Sequence, residues 1–466
     1  MANDRFTPQN EEFINDGAQS APSQSTAYMQ NPQFIKESQP KKDKKKVGRA
    51  ILCVALAIVC FLGGMLVNWL SLDSEMRSLI RFKQAIQDNY YEEISDQQFY
   101  DTIFDAINDE LLDDYSGYLT ADEYAEMKSS GEGNNSGLGV VFSVQGDEVS
   151  FVIARVCGNS PAEQSGIVAG EKIVAFGTSE TDMTDASDFT VFSDFIKAKQ
   201  TGETVYLRLQ LGQNTRTVSV TKAEYVENYV FYRTNTQAYR FAGENATTLI
   251  EAGEPLTCLS DDTAYIRLTQ FNGSAVEQFS KAMQLFKQQN KINLVLDLRD
   301  NGGGYVDIMQ SIAGYFCKSA TMAYPLVMTA DYGEASEAFY AKANVYGEYF
   351  SVNSRICVLA DEGTASASEA LMGCMLDYGA LKYSDVCLIE NNGVAKTYGK
   401  GIMQTTLPLG IFQGDAAKLT TARIRWPLSE KCIQGVGICE SDGTKSTQNL
   451  MIDEEEIVSA IALLGL

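Results

Sequence analysis

Residues 355–369 read RICVLADEGTASASE, and they set one hydroxyl, that of Ser366, where it could act on a substrate. The apolar run Ile356-Cys357-Val358-Leu359-Ala360 has the length of a buried strand. A turn at Asp361-Glu362-Gly363 follows, then the small residues Thr364-Ala365-Ser366-Ala367-Ser368, then a helix-like run from Glu369. Strand, tight turn, serine and helix is an arrangement that pushes a hydroxyl out at the end of a sheet. The helix N-terminus beside it offers free N–H groups to a developing anion. Serine and threonine also cap helices in general, so this stretch by itself reads first as a helix start, and the case for chemistry comes from the rest of the chain.

A serine nucleophile needs a base. The chain contains no histidine, which excludes a Ser-His-Asp triad within it and leaves lysine as the alternative with precedent. Lys400 stands between two glycines in Thr397-Tyr398-Gly399-Lys400-Gly401-Ile402-Met403-Gln404, a setting suited to a strand end with close backbone approach. Burial would lower its pKa, because a low dielectric disfavours the ammonium. Gln404 is four residues on. On a strand it would share a face with Lys400, and its neutral amide would orient the amine without favouring its charge.

Together these segments resemble the C-terminal processing peptidases, or tail-specific proteases, which are PDZ-containing serine peptidases with a Ser-Lys dyad. The motif Gly363-Thr364-Ala365-Ser366-Ala367-Ser368-Glu369 carries the resemblance, with Tyr398-Gly399-Lys400-Gly401 and Gln404. It implies Ser366 as nucleophile, Lys400 as base and Gln404 beside it, with Glu369, Asp377 and Thr397 in support. It also implies a mixed α+β and α/β fold with a crotonase-like peptidase core. The segment between serine and lysine runs longer than the family pattern around residues 384–394, and the extra length is expected as a surface loop.

These residues need elements to hold them. Residues 292–298 read as a strand that runs into Arg299-Asp300-Asn301-Gly302-Gly303-Gly304, and a helix is expected over 305–316. A triple glycine lacks the GxGxxG spacing of a dinucleotide loop. The resemblance makes it one side of an oxyanion hole, with amides of Gly303 and Gly304 joining that of Ala367, a pair worth a few kcal/mol to a tetrahedral intermediate. Asp297 in an apolar strand requires a partner or a half-exposed edge. Helices are expected over 275–288 and 453–464, and closing strands over 405–409, 420–427 and 433–438.

Ahead of this core, Gly137-Leu138-Gly139-Val140 opens a β-rich stretch with Ser160-Pro161-Ala162 and Ser165-Gly166 some twenty residues on. It resembles a circularly permuted PDZ domain over 137–223. There, amides of Gly137, Leu138, Gly139 and Val140 would hold a C-terminal carboxylate while an adjacent strand pairs with the peptide. A β-module whose glycines only make turns is the other reading. Residues 131–136 read as a linker, 225–260 as a connector without clear assignment, and 74–130 as helices. In the last of these, Phe99, Tyr100, Ile103, Phe104, Ile107 and Leu111 make one apolar face. Residues 112–120, LDDYSGYLT, resemble the family's segment before the PDZ domain, and packing is the role expected of them.

From residue 50 to 72 no charge appears, about one bilayer span. The lysine cluster before it and Asp73 and Glu75 after it predict a cytoplasmic N-terminus, a single transmembrane helix and an extracytoplasmic body. A cleaved signal peptide is the competing reading. Residues 1–49 are expected as a disordered tail with a polybasic end. Net charge is −24, concentrated after residue 49, which argues against nucleic acid as a partner. Ten cysteines show no zinc spacing, so no metal and no cofactor is expected. Cys432 and Cys439 would pair only in an oxidising compartment.

The expected function is therefore a membrane-anchored serine endopeptidase that captures protein or peptide C-termini. The rivals are a tethered binding scaffold on an inactive peptidase fold and a hydrolase of esters. A homodimer is left open, with residues 74–130 or the C-terminal segment as its contact.

Overall fold

The computed structural model describes residues 44–145, 148–391, 393–410, 414–450 and 453–465. The expected tail lies outside them as far as residue 43. The chain divides into two units, Met1–Ser95 and Asp96–Leu466. The first holds a helix over Lys44–Ser71 and a second over Ser74–Asn89, which starts where Asp73 accepts the Met76 amide at 2.7 Å. Within the first helix Leu52–Ser71, of mean hydropathy 2.2, is long and apolar enough to cross a membrane.

The second unit is mixed α and β. Its central sheet has eight strands in the order 248–251, 238–242, 230–233, 263–268, 293–297, 356–360, 386–390 and 445–448. The last five are parallel to one another. The strands Asn293–Asp297 and Ile356–Ala360 are neighbours, so the glycine loop and the serine turn leave the same sheet edge side by side. That adjacency is what a parallel sheet provides to a site at its carboxyl edge. Helices Ala275–Gln288, Val306–Ala313 and Ala367–Asp377 cover one face, with Phe279, Phe286, Met309, Leu371 and Met375 in the main core. The helix Asp453–Leu464 covers the other through Ile457, Ile461 and Leu464.

Asp297 resolves its burial through charge. Arg299 grips its carboxylate and Tyr265 donates to it, while Arg299 also binds Glu456 of the C-terminal helix. Burial alone would raise this carboxyl, but Arg299 and Arg267 outweigh it and bring the pKa down to about 2.

A second sheet joins Gly117–Leu119, Ala416–Arg425, Leu326–Asp331 and Ser336–Tyr340, with Ile402–Pro408 also paired to Ala416–Arg425. The remaining six-stranded sheet has its own core of Phe151, Ile173, Phe192, Leu207 and Leu209.

Several sequence expectations are corrected. The supposed linker contains a strand, Asn134–Gly137, paired with Ala223–Val226 across the entrance and exit of the β-module. Its Asn- and Gly-rich sequence carries no hydrophobic alternation because the pair lies outside the core. The unassigned connector supplies three strands of the central sheet, Val230–Arg233, Ala238–Ala242 and Thr248–Glu251. The extra length before Lys400 is no simple surface loop, since Val386–Glu390 is a strand and its Val386, Cys387, Leu388 and Ile389 are buried. Residues 433–438 form turns, and the expected strand is displaced to Lys445–Gln448. The apolar face of the helix Asp96–Leu111 buries none of its residues, although Phe104 stacks on Tyr118 at 3.9 Å. Cys432 and Cys439 are free thiols.

Candidate active site

Ser366 caps the helix Ala367–Asp377 with φ 57° and ψ −115°. For a residue with a Cβ this backbone is strained by about 1–3 kcal/mol, and it persists only when its surroundings fix it. Two sets of contacts do so. The Ser366 amide donates to Glu369 Oε2 at 3.1 Å. Asn301 carbonyl accepts from the Ala365 amide at 3.0 Å and from Ser368 Oγ at 2.8 Å, tying the serine turn to the glycine loop.

The lysine turn is held by the same carboxylate. Glu369 is buried and accepts from Thr397 Oγ1 at 2.6 Å, the Gly399 amide at 2.8 Å and the Lys400 amide at 2.9 Å. Burial raises its pKa against the pull of these four donors. Thr397 Oγ1 in turn accepts the Ile438 amide at 2.8 Å. One side chain therefore fixes the backbones of both the serine and the lysine segments, which are more than thirty residues apart in sequence.

Lys400 precedes its strand rather than standing in it. The strand begins at Ile402, and its pairing is irregular between Met403 and Gln404. The expectation that Lys400 and Gln404 meet by strand alternation is thus wrong in its cause. The contact itself is present, with Lys400 Nζ donating to Gln404 Oε1 at 2.9 Å. Burial, then the neighbouring Lys418, lowers the ammonium pKa to about 8 against the opposing pull of Asp113 and Glu369. Among the described residues no hydrogen bond joins Lys400 Nζ to Ser366 Oγ. The amine is turned toward Gln404, and a long side chain with four rotatable bonds can redirect it without moving the backbone.

A cavity of about 100 Å³ lies over the serine, lined by Ser366, Ala367, Gly304, Met328, Met403 and Gln404 among others. The Gly303 amide is committed to Asn301 Oδ1 at 3.0 Å, so it is not a free donor here. A Cβ at Gly303 would come 2.8 Å from the Ser366 Cβ, which explains glycine there as packing. Among the described residues, no bond takes up the amides of Gly304 or Ala367. Beside this loop Asp300 is pushed up to about 8 by burial and by the adjacent Asp361 carboxylate.

Asp377 does not join the site. It is eleven residues along the helix from Ser366, roughly 16 Å at helical rise. Its Oδ2 accepts the Leu428 amide at 2.8 Å, the Ser429 amide at 2.9 Å and Ser429 Oγ at 3.1 Å. It thereby anchors the turn leading to residues 435–438, which back Gly399 and Thr397. Asp377→Ala is expected to lower the melting temperature and to reduce turnover about tenfold by loosening that backing, and Asp377→Asn, which keeps an acceptor oxygen, to restore most of both. An Asn variant that is folded yet inactive would give Asp377 a chemical role instead.

In the β-module, Val140–Gln145 is an edge strand paired only with Glu148–Val156 among the described residues. Leu138 carbonyl accepts the Ala162 amide and Gly139 carbonyl the Cys157 amide, leaving the Leu138 and Gly139 amides without a partner among the described residues. The Leu138 side chain is buried in the module core, and Gly139 has φ 86° with Ser160 packed against it. Gly137 belongs to the preceding strand, its Cα opposite Ala223.

Sequence reasoning missed Tyr115. Its ring lies under Lys400 Nζ, 4.5 Å from the centroid, its carbonyl accepts from Gln404 Nε2, and its hydroxyl meets that of Tyr398 at 3.1 Å. No motif separated it from the packing residues around it.

Residues 262–441 match the model of peptidase family S41. Over that segment the chain is similar to family S41. Relatives include a chloroplastic C-terminal processing peptidase of Tetradesmus obliquus, 27% identical over 334 residues, which cover 70% of this chain and 64% of that protein. A carboxyl-terminal-processing protease of Picosynechococcus sp. is 25% identical over 401 residues, covering 82% of this chain and 86% of that one. A solved photosystem II D1 C-terminal processing protease aligns over 82% of this chain and 94% of its own, with 22% identity and a TM-score of 0.49. The S41 segment includes the glycine loop, Ser366, Glu369, Lys400 and Gln404, and begins after the β-module and Tyr115.

Proposed function

We propose that this protein is a membrane-anchored serine endopeptidase working outside the cytoplasm with a Ser366–Lys400 dyad. The observation that carries this reading is the Glu369 knot, which holds the amides of Ser366 and Lys400 together on Oε2 of one buried carboxylate, and the Gly399 amide and Thr397 hydroxyl on its Oε1, beside the cavity over the serine. Neutral Lys400 takes the proton of Ser366 Oγ as that oxygen bonds to a peptide carbonyl carbon. The resulting oxyanion accepts from the Ala367 and Gly304 amides. Lys400, now charged, protonates the leaving amine as the C–N bond breaks. Water then attacks the acyl ester, giving its proton to Lys400, and Lys400 passes that proton to Ser366 Oγ as the ester C–O bond breaks and the acid product leaves. The amine must first rotate from Gln404, which is common in sites without substrate.

Residues 137–223 are proposed as a PDZ domain. Substrate C-termini would place a carboxylate on the free Leu138 and Gly139 amides while the peptide adds to the edge strand Val140–Gln145. The sequence supports an anchor at residues 50–72 with the N-terminus cytoplasmic.

The full chain is expected to cleave unfolded casein, and a peptide ending in a free carboxylate to compete better than the same peptide amidated. An absence of cleavage from pH 6 to 9 would return the reading to a tethered scaffold. Equal competition by the amidated peptide would remove the PDZ assignment while leaving the peptidase standing.

A further inference from the structure

Residues 113–119 lie against the lysine end of the site, outside the S41 segment and ahead of the β-module. Gly117–Leu119 pairs with Ala416–Arg425, and Ser116 Oγ accepts the Thr420 amide at 2.8 Å, so this strap is seated on the strand beside that of Gln404. Tyr115 then makes three separate contacts with the catalytic segment. Its ring covers Lys400 Nζ, its carbonyl takes the Gln404 amide nitrogen, and its hydroxyl bonds Tyr398. The second contact settles which way Gln404 faces. With its nitrogen donated to Tyr115, its oxygen is the end presented to Lys400. A glutamine turned the other way would donate an N–H to the lone pair that the neutral amine needs for the serine proton.

We propose that Tyr115 is a positioning residue for the base, fixing the Gln404 amide and roofing the Lys400 amine so that the strap completes the catalytic site. This rests on the Ser366–Lys400 reading above. Two effects of the ring on Lys400 oppose each other. The aromatic face favours the ammonium, whereas exclusion of water favours the neutral amine. Burial is the largest influence on this group, and the other charges facing it are Lys418 from the neighbouring strand, Asp113 from the strap and Glu369 from the serine helix. Removing the ring therefore lets water in and moves Lys400 back toward the ordinary lysine range.

The test uses the full chain with Tyr115→Phe and Tyr115→Leu, reading kcat, KM and the pH dependence of kcat on one fluorogenic peptide. Both variants keep the main-chain carbonyl that holds Gln404; Tyr115→Phe also keeps the ring and is expected within about threefold of wild type, with the acid limb unmoved. Tyr115→Leu is expected to lose about tenfold or more in kcat with KM little changed, and its acid limb to move to higher pH. A loss confined to KM, an unmoved limb in Tyr115→Leu, or equal losses in both variants would overturn the proposal. Ser366→Ala run in parallel separates the two failures. If it is inactive while Tyr115→Leu behaves as wild type, the roof fails and the dyad stands. If Ser366→Ala stays active, the dyad itself fails.

Discussion

Replacing Ser366 by alanine is expected to abolish cleavage, with a loss on the order of ten-thousandfold or more in kcat/KM. The loss is this large because every covalent step passes through Oγ, and no neighbouring hydroxyl can replace it. Ser368, the nearest in sequence, is buried with its Oγ donated to the Asn301 carbonyl. Thr364 is likewise buried and spends its hydroxyl on the Leu298 carbonyl at 2.8 Å. The variant should melt as wild type does, within about 0.5 kcal/mol. The Glu369 and Asn301 contacts that fix the turn engage backbone groups and Ser368 rather than Oγ. A folded Ser366→Ala chain that digests casein at the wild-type rate would remove Ser366 from the chemistry.

Lys400→Met should cost about a thousandfold in kcat, the middle of the range for removing a general acid–base group. Methionine fills much the same volume, sits well under the Tyr115 ring, and leaves the Lys400 backbone amide on Glu369 intact. The loss therefore reports the amine rather than collapse of the turn. If residues 137–223 bind substrate C-termini as proposed, a peptide ending in a free carboxylate should bind both proteins with the same affinity. A variant that cleaves within tenfold of wild type would show that another group takes the serine proton.

The elements nearest these residues were legible because their patterns are local. The strand Ile356–Ala360 and the helix Ala275–Gln288 have the limits that apolar runs and helical spacing imply. The meeting of Ser366 with Lys400's segment rested on family resemblance, since no pattern in the sequence announces that Glu369 will hold both. What stayed hidden is pairing between distant segments. Asn134–Gly137 and Ala223–Val226 find each other across the whole β-module, and neither alternates in polarity. Tyr115 was hidden for the same reason, being 285 residues from the lysine it covers. Asp377 shows the reverse error. Its motif position suggested the site, but a helix of three turns carries it to the opposite end, where its bonds are to a surface turn.

The most direct test is the pH dependence of kcat for the full chain, run beside Asp300→Asn because burial and the adjacent Asp361 carboxylate push that carboxyl up as well. A base that must be neutral gains activity as pH rises through its pKa, so cleavage should climb about tenfold per pH unit and level off above about 8, the value to which burial brings Lys400. The climb should persist in Asp300→Asn. A profile that is flat from pH 6 to 9, or a climb that vanishes in Asp300→Asn, would contradict an uncharged lysine as the group that deprotonates Ser366.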